Sequence, residues 1–164
     1  SVNLPAQLGR YLQEISRANG IRIPRMGIIA DGSPNAFTYG HTPNNARIVI
    51  TSGLMGLLSE EELEAFVAHE VGHAVHWDML VMTAVNLIPM VLCYVYRTLL
   101  RTGGGGDRSA AARYAVAIGS YVLYIVSEYV VLWLSRTREY YADRFAADAS
   151  GDPGLLASAL VKIA

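Results

Sequence analysis

Two histidines and a glutamate stand close together in His69-Glu70-Val71-Gly72-His73. On a helix, residues four apart share a face, so both imidazoles reach one metal ion while the glutamate lies beside it. Zn2+ suits such a pair, because it takes two nitrogens and a carboxylate and leaves a position open for water. Zinc lowers the pKa of that water, and a neighbouring carboxylate takes its proton. The expected chemistry is therefore hydrolysis of a peptide bond, with His69 and His73 on the metal and Glu70 as the catalytic base.

A catalytic site of this kind needs a third protein donor. No further histidine follows His73 at H-x-x-G-x-x-H spacing. The better donor is Glu139, in Ser135-Arg136-Thr137-Arg138-Glu139-Tyr140-Tyr141-Ala142-Asp143. Asp143, four residues on, shares its face and is expected to accept the ring N–H of a zinc histidine and hold that ring in place. The plainer alternative is a solvated helix face on which Arg136 and Arg138 pair with these acids. His76 shares a face with His73, but a fourth ligand would close the open position, so a supporting role is expected. His41 reads as a surface histidine.

The elements that must position these groups follow from pattern and punctuation. Leu8, Leu12 and Ile15 recur at helical spacing between Pro5 and Asn19, and Gly20 stops them. Arg25–Ala30, Asn35–Tyr39 and Arg47–Thr51 read as strands separated by turn residues, and a small antiparallel sheet is the economical assembly. Thr51 or Ser52 opens a short helix ending near Leu58. Ser59-Glu60-Glu61-Glu62 is a capping box that opens the helix carrying His69 to His76.

Two apolar runs follow, Met79–Leu100 with one charge, Arg97, and Tyr114–Leu134 with one charge, Glu128. Each is about as long as the roughly 20 residues that cross a bilayer. Tyr94, Tyr96, Tyr114 and Trp133 fit an interfacial belt. Thr83, Asn86, Pro89 and Glu128 keep open the alternative of long helices in a soluble core, with Glu128 bonded to Asn86 or Thr83. The link between the runs holds glycines 103–106 and Arg101, Arg108 and Arg113, and it is not a phosphate cradle, since no Lys-Ser or Lys-Thr follows. A final helix from Ser135 and a piece after Pro153 complete the chain.

With 164 residues the chain is long enough for one domain and a proper core. Thirteen basic against fourteen acidic residues give no electrostatic case for nucleic acid. The 52% apolar content is concentrated in the two runs. Cys93 is the single cysteine and reads as a small hydrophobe. The start at Ser1, without a signal segment, is expected of a piece of a longer protein.

The motifs together resemble the HtpX-type membrane metallopeptidases, relatives of the CAAX prenyl endopeptidases. The resemblance rests on His69-Glu70-Val71-Gly72-His73, Asp78-Met79-Leu80, the apolar pair, and Ser135-Arg136-x-Arg138-Glu139-Tyr140-x-Ala142-Asp143. Upstream, Asn35-Ala36-Phe37 and the stretch Val49–Leu54 match in the same order. It implies a gluzincin fold, zinc on His69, His73 and Glu139, Glu70 as base, and a quality-control peptidase acting on membrane or misfolded polypeptides. It also implies a multi-pass cell-membrane protein with its catalytic side in the cytoplasm, although the arginines of the link favour the link for that side. The other reading is a weak or inactive membrane scaffold, or a binding module with a structural zinc.

The expected fold is α+β and mainly helical. A small antiparallel sheet packs on the metal helix and on a second ligand helix, in one domain spanning 1–164, with an apolar hairpin at 79–134 inserted between them. Asn35, Ala36 and Phe37 are expected on a sheet edge that holds substrate extended. A donor to the developing oxyanion is not fixed by spacing. His41, His76, Tyr140 and Tyr141 are candidates, and Tyr141 stands where some family members carry histidine. Relatives continue past Ala164 into a segment with histidine and arginine, so the strongest donor is expected there and this chain is expected to cleave poorly.

Overall fold

The computed structural model describes residues 4–40, 42–101 and 107–164. The readings of His41 and of glycines 103–106 lie outside the described residues. Helix α1 (Ala6–Ala18) buries Leu8, Leu12 and Ile15, the stripe its spacing demands, and the chain turns away at Gly20 with φ 64°.

Strands β1 (Arg25–Ile29), β2 (Ala36–Tyr39) and β3 (Arg47–Thr51) form a sheet in the order β1-β3-β2. Its pairing corrects the antiparallel expectation, since β1 runs parallel to β3 and only β2 is antiparallel to it. The path of the connection explains this. The segment between β1 and β2 passes over the C-terminal end of β3, where the Ser52 hydroxyl and the Gly53 N–H donate to the Asp31 carbonyl and Asn35 N–H donates to Thr51 Oγ1. A chain that rises along β1, crosses that end and descends along β2 leaves β3 parallel to one neighbour and antiparallel to the other. Gly53 allows the crossing: a Cβ there would lie 2.1 Å from the Gly32 carbonyl oxygen. Strand β3 is central because Ile48, Val49 and Ile50 are buried on both faces.

Helix α2 (Ser52–Leu57) is capped by Thr51, whose hydroxyl accepts from Leu54 N–H. Helix α3 (Glu60–Val75) opens on a reciprocal capping box: Ser59 Oγ accepts from Glu62 N–H at 3.2 Å, and the Glu62 carboxylate accepts from Ser59 N–H at 2.9 Å. Helices α4 (Asp78–Arg101), α5 (Asp107–Ser150) and α6 (Pro153–Ile163) complete the fold. The expectation of a separate ligand helix from Ser135 is corrected: α5 is one helix of 44 residues. Neither glycine nor proline interrupts it between Tyr114 and Ser150 except Gly119.

The chain divides into two compact units, Ser1–Leu80 with Thr137–Ala164, and Val81–Arg136. The first holds the core, in which Leu8, Leu12, Ile48, Ile50, Leu54, Val67 and Val71 are almost fully buried. Its α3 is fixed to α6 through the buried Glu62, which accepts from Lys162 Nζ at 2.7 Å and Ser158 Oγ at 2.6 Å. Those bonds, with the one from Ser59 N–H, hold the Glu62 carboxyl down to about 2 against a desolvation that acts the other way.

The second unit is apolar on its outside. Of the apolar windows in its helices, only 6% and 11% of residues are buried, and both helices are long and apolar enough to cross a membrane by length and composition. Core helices of a soluble protein are largely buried, and among the described residues these two are not. Glu128 and Asn86 line one groove, but the Asn86 amide donates to the Met82 carbonyl of its own helix at 2.7 Å rather than to Glu128.

Candidate metal centre

Spacing on α3 puts His69 and His73 side by side, with ring centroids 4.7 Å apart and ring planes perpendicular. Their Nε2 atoms are 3.1 Å from each other. Glu139 of α5 completes the group: its Oε2 lies 3.6 Å from His69 Nε2 and 3.8 Å from His73 Nε2. One donor atom from each of the three residues falls within 4.8 Å of the others, an arrangement able to hold a metal ion. The histidines are largely enclosed, with side chains 10% and 20% exposed, whereas that of Glu139 is 60% exposed, so the site opens to solvent on the Glu139 side.

The approach of α5 to α3 depends on Gly72. A Cβ there would meet the Ala142 Cα at 3.2 Å and the Phe145 ring at 3.3 Å. A larger residue between the two histidines would push away the helix that carries Glu139 and Asp143.

Each imidazole has a carboxylate at its far edge. Asp78 Oδ2 lies 2.6 Å from His73 Nδ1, and Asp143 Oδ1 lies 3.0 Å from His69 Nδ1. The first contact is a hydrogen bond, while the second is an ion-pair distance off the N–H axis, so His69 Nδ1 makes no hydrogen bond. At His73 the carboxylate holds the proton on Nδ1 and leaves the Nε2 lone pair free to face the donor group. Asp78 reaches back because Trp77 takes the left-handed conformation, φ 60°, between α3 and α4. That geometry costs a non-glycine residue about 1–2 kcal/mol. Asp78 is buried and pairs on its other oxygen with Arg138, whose guanidinium also donates to the His76 carbonyl at 2.8 Å.

Glu70 is held from the sheet: Thr38 Oγ1 of β2 donates to Glu70 Oε2 at 2.6 Å. Strand β2 lies at the edge of the sheet. Ala36 packs on the core, Phe37 is 44% exposed, and Asn35, just before the strand, is tied to Thr51 through its N–H and carbonyl. His76 stands outside the donor group, with Nδ1 donating to the Gly72 carbonyl at 2.7 Å. Tyr141 stacks on the His76 ring with centroids 5.9 Å apart.

Sequence reasoning did not single out Thr38, Asp78 or Arg138 as supports. Thr38 carried no signal beyond strand alternation, and Arg138 read as a partner for Glu139 or Asp143. Asp78 read as the polar end of the metal helix.

The sequence pattern of peptidase family M48 matches residues 4–164. The chain belongs to peptidase family M48. Among M48 relatives, a "Protease HtpX homolog" of Methanothermobacter thermautotrophicus is 39% identical over 157 residues, which cover 96% of this chain and 58% of that protein. Another of the same name from Moorella thermoacetica is 40% identical over 162 residues, covering 96% and 54%. This M48 chain thus spans a little over half the length of those relatives. The crystal structure of S. mikatae Ste24p shares its fold, with a TM-score of 0.68 at 19% identity over 99% of this chain and 43% of that one. The motif-based resemblance to HtpX-type peptidases and to a CAAX peptidase relative agrees with these findings.

Proposed function

We propose that this chain is the catalytic part of a zinc-dependent endopeptidase that hydrolyses polypeptides at a membrane. The observation that carries the proposal is the convergence of His69 Nε2, His73 Nε2 and Glu139 Oε2 within 4.8 Å, beside a Glu70 fixed by Thr38. Tetrahedral zinc with donors roughly 2.1 Å away separates its ligands by about 3.4 Å. The observed 3.1, 3.6 and 3.8 Å bracket that value, and two nitrogens with one carboxylate are the donor set of a catalytic rather than a structural ion. Three protein donors would leave a fourth position open for water.

His69, His73 and Glu139 would hold the zinc, which when bound would supply Lewis acidity toward a peptide carbonyl and a water. Glu70 accepts the proton of the attacking water and returns one to the departing amine. Thr38 keeps one oxygen of that carboxylate engaged, so the other is left to the reaction. Asp78 holds the His73 ring by its Nδ1 hydrogen bond, and Asp143, 3.0 Å from His69 Nδ1, is placed to do the same for the other ring. Tyr141, stacked on His76, is a candidate oxyanion donor within the chain, beside the stronger donor expected past Ala164.

The edge strand β2 supports a substrate-binding role for Asn35, Ala36 and Phe37: a polypeptide added to that edge lies extended beside Glu70. The exposed apolar surface of α4 and α5 supports a multi-pass cell-membrane protein, and the resemblance to HtpX-type peptidases supports a cytoplasmic catalytic side and membrane or misfolded polypeptides as substrates.

The deciding experiment pairs metal analysis with a general proteolysis assay on the wild type and Glu70→Gln. Bound zinc in both, with turnover lower by about 10² to 10⁴-fold in the variant, is the expected outcome. Equal measurable turnover in the two would remove Glu70 as the base, and bound zinc with no turnover in either would leave a binding module with a structural zinc.

A further inference from the structure

The face of β2 opposite Thr38 carries a charge pattern that the metal centre does not use. Cross-strand partners share a face, so the register Arg25↔Arg47 and Tyr39↔Arg47 aligns two arginines and a tyrosine across the sheet. Phe37 lies two residues along β2, hence on the same side. The Arg47 guanidinium sits over the Tyr39 ring, 5.7 Å from its centroid, and the Tyr39 and Phe37 rings are 6.2 Å apart. All four side chains are exposed. Neither arginine has a carboxylate within 4.0 Å among the described residues. Like charges side by side on adjacent strands repel, and a counter-charge from outside the chain relieves that.

We propose that Arg47, reinforced by Arg25, forms a subsite that selects an acidic side chain in the polypeptide docked along β2. The proposal rests on the reading of β2 as the substrate edge. Side chains of an added strand alternate, one set facing Thr38 and Glu70, the other lying beside Phe37 and Tyr39. Arg47 belongs to the central strand, but its guanidinium already reaches over the Tyr39 ring of the edge strand, and a carboxylate opposite Tyr39 meets it there. Arg25, one strand further off, adds to the positive potential without touching the peptide. The outer side chain next to Phe37 meets an aromatic ring. The selected pattern is therefore an acidic and an apolar residue separated by one position. Surface electrostatics of this kind sets specificity more than affinity.

The test is binding, so that it reads even where turnover is low. The zinc-loaded Glu70→Gln chain in detergent is titrated into fluorescein-labelled peptides in which Asp, Asn or Lys is stepped through successive positions. At one position Asp should bind about three- to tenfold tighter than Asn, the range of one or two exposed ion pairs, with Lys weaker than both. That preference should shrink in high salt, vanish in Arg47→Gln, persist in Arg47→Lys and reverse in Arg47→Glu. Bound zinc in each variant reports an intact fold. Equal binding of all three peptides at every position overturns the subsite and leaves strand docking standing. Binding of no peptide overturns both. A preference unchanged in Arg47→Glu, with loss of co-sedimentation on phosphatidylglycerol vesicles, assigns the patch to lipid and overturns the subsite as well.

Discussion

Asp78 Oδ2 stands 2.6 Å from His73 Nδ1, five residues back across the left-handed Trp77. The contact ties the first residue of α4 to a proposed metal ligand, and Arg138 neutralises the carboxylate from its other side. Asp78→Ala should lower zinc affinity by about 10- to 100-fold, the usual effect of losing the group that orients a ligating histidine. Competition with a fluorescent chelator measures it. Unchanged affinity would show that packing alone fixes the ring.

Thr38→Val should lower kcat by about tenfold or more while zinc content and the sheet stay intact. The hydroxyl donates to Glu70 at 2.6 Å, and a hydrogen bond to a charged group contributes about 1.5–3 kcal/mol. Valine keeps the shape and the strand preference of threonine. Steady-state kinetics separates the two roles of β2, since a change confined to KM would assign Thr38 to substrate docking.

Gly72→Ala sets two effects against each other. Alanine raises helix propensity by about 1 kcal/mol, while the new Cβ presses on the Ala142 backbone at 3.2 Å and overpacks at a cost of about 1–3 kcal/mol. Because a helix backbone cannot rotate aside, α5 must shift, and Glu139 shifts with it. Stability should fall by no more than about 2 kcal/mol, whereas zinc affinity should fall by at least tenfold. Retained zinc affinity would mean that Glu139 is not held by this contact.

The Glu62 cluster makes a pH prediction. Its folded carboxyl titrates near 2 against an ordinary 4.5, held down first by Lys162 and then by Ser158. The depressed value means that its contribution to stability is fully present above about pH 4.5 and is lost as pH falls toward about 2. Thermal unfolding between about pH 6 and pH 3 should fall more steeply for the wild type than for Glu62→Gln. Parallel curves would remove Glu62 from the account of how α6 is fixed to α3.

Helices α4 and α5 should anchor the parent protein in lipid. Alkaline carbonate without detergent should leave it in the membrane pellet, because the apolar windows of both helices are largely exposed among the described residues. Release into the supernatant would place a partner protein, rather than lipid, on those faces.

How much of this was legible beforehand divides along physical lines. The stripe Leu8, Leu12 and Ile15, the capping box Ser59–Glu62 and the shared face of His69 and His73 are set by residues within a turn or two of each other. Local periodicity and capping are enough to specify such features, so the sequence by itself determined the helix carrying His69 and His73 and the two apolar helical runs. Contacts between distant segments were a different matter. The parallel pairing of β1 with β3 follows from a connection that passes over the end of β3, and strand alternation looks the same for either direction. The continuation of α5 through Ser135 was hidden by a change in polarity, which marks a change of surroundings rather than a helix end. The hydroxyl of Thr38 on Glu70, and Arg138 on Asp78, join residues 32 and 60 positions apart, and only the tertiary structure decided them, because which polar groups meet depends on the path of the chain between them.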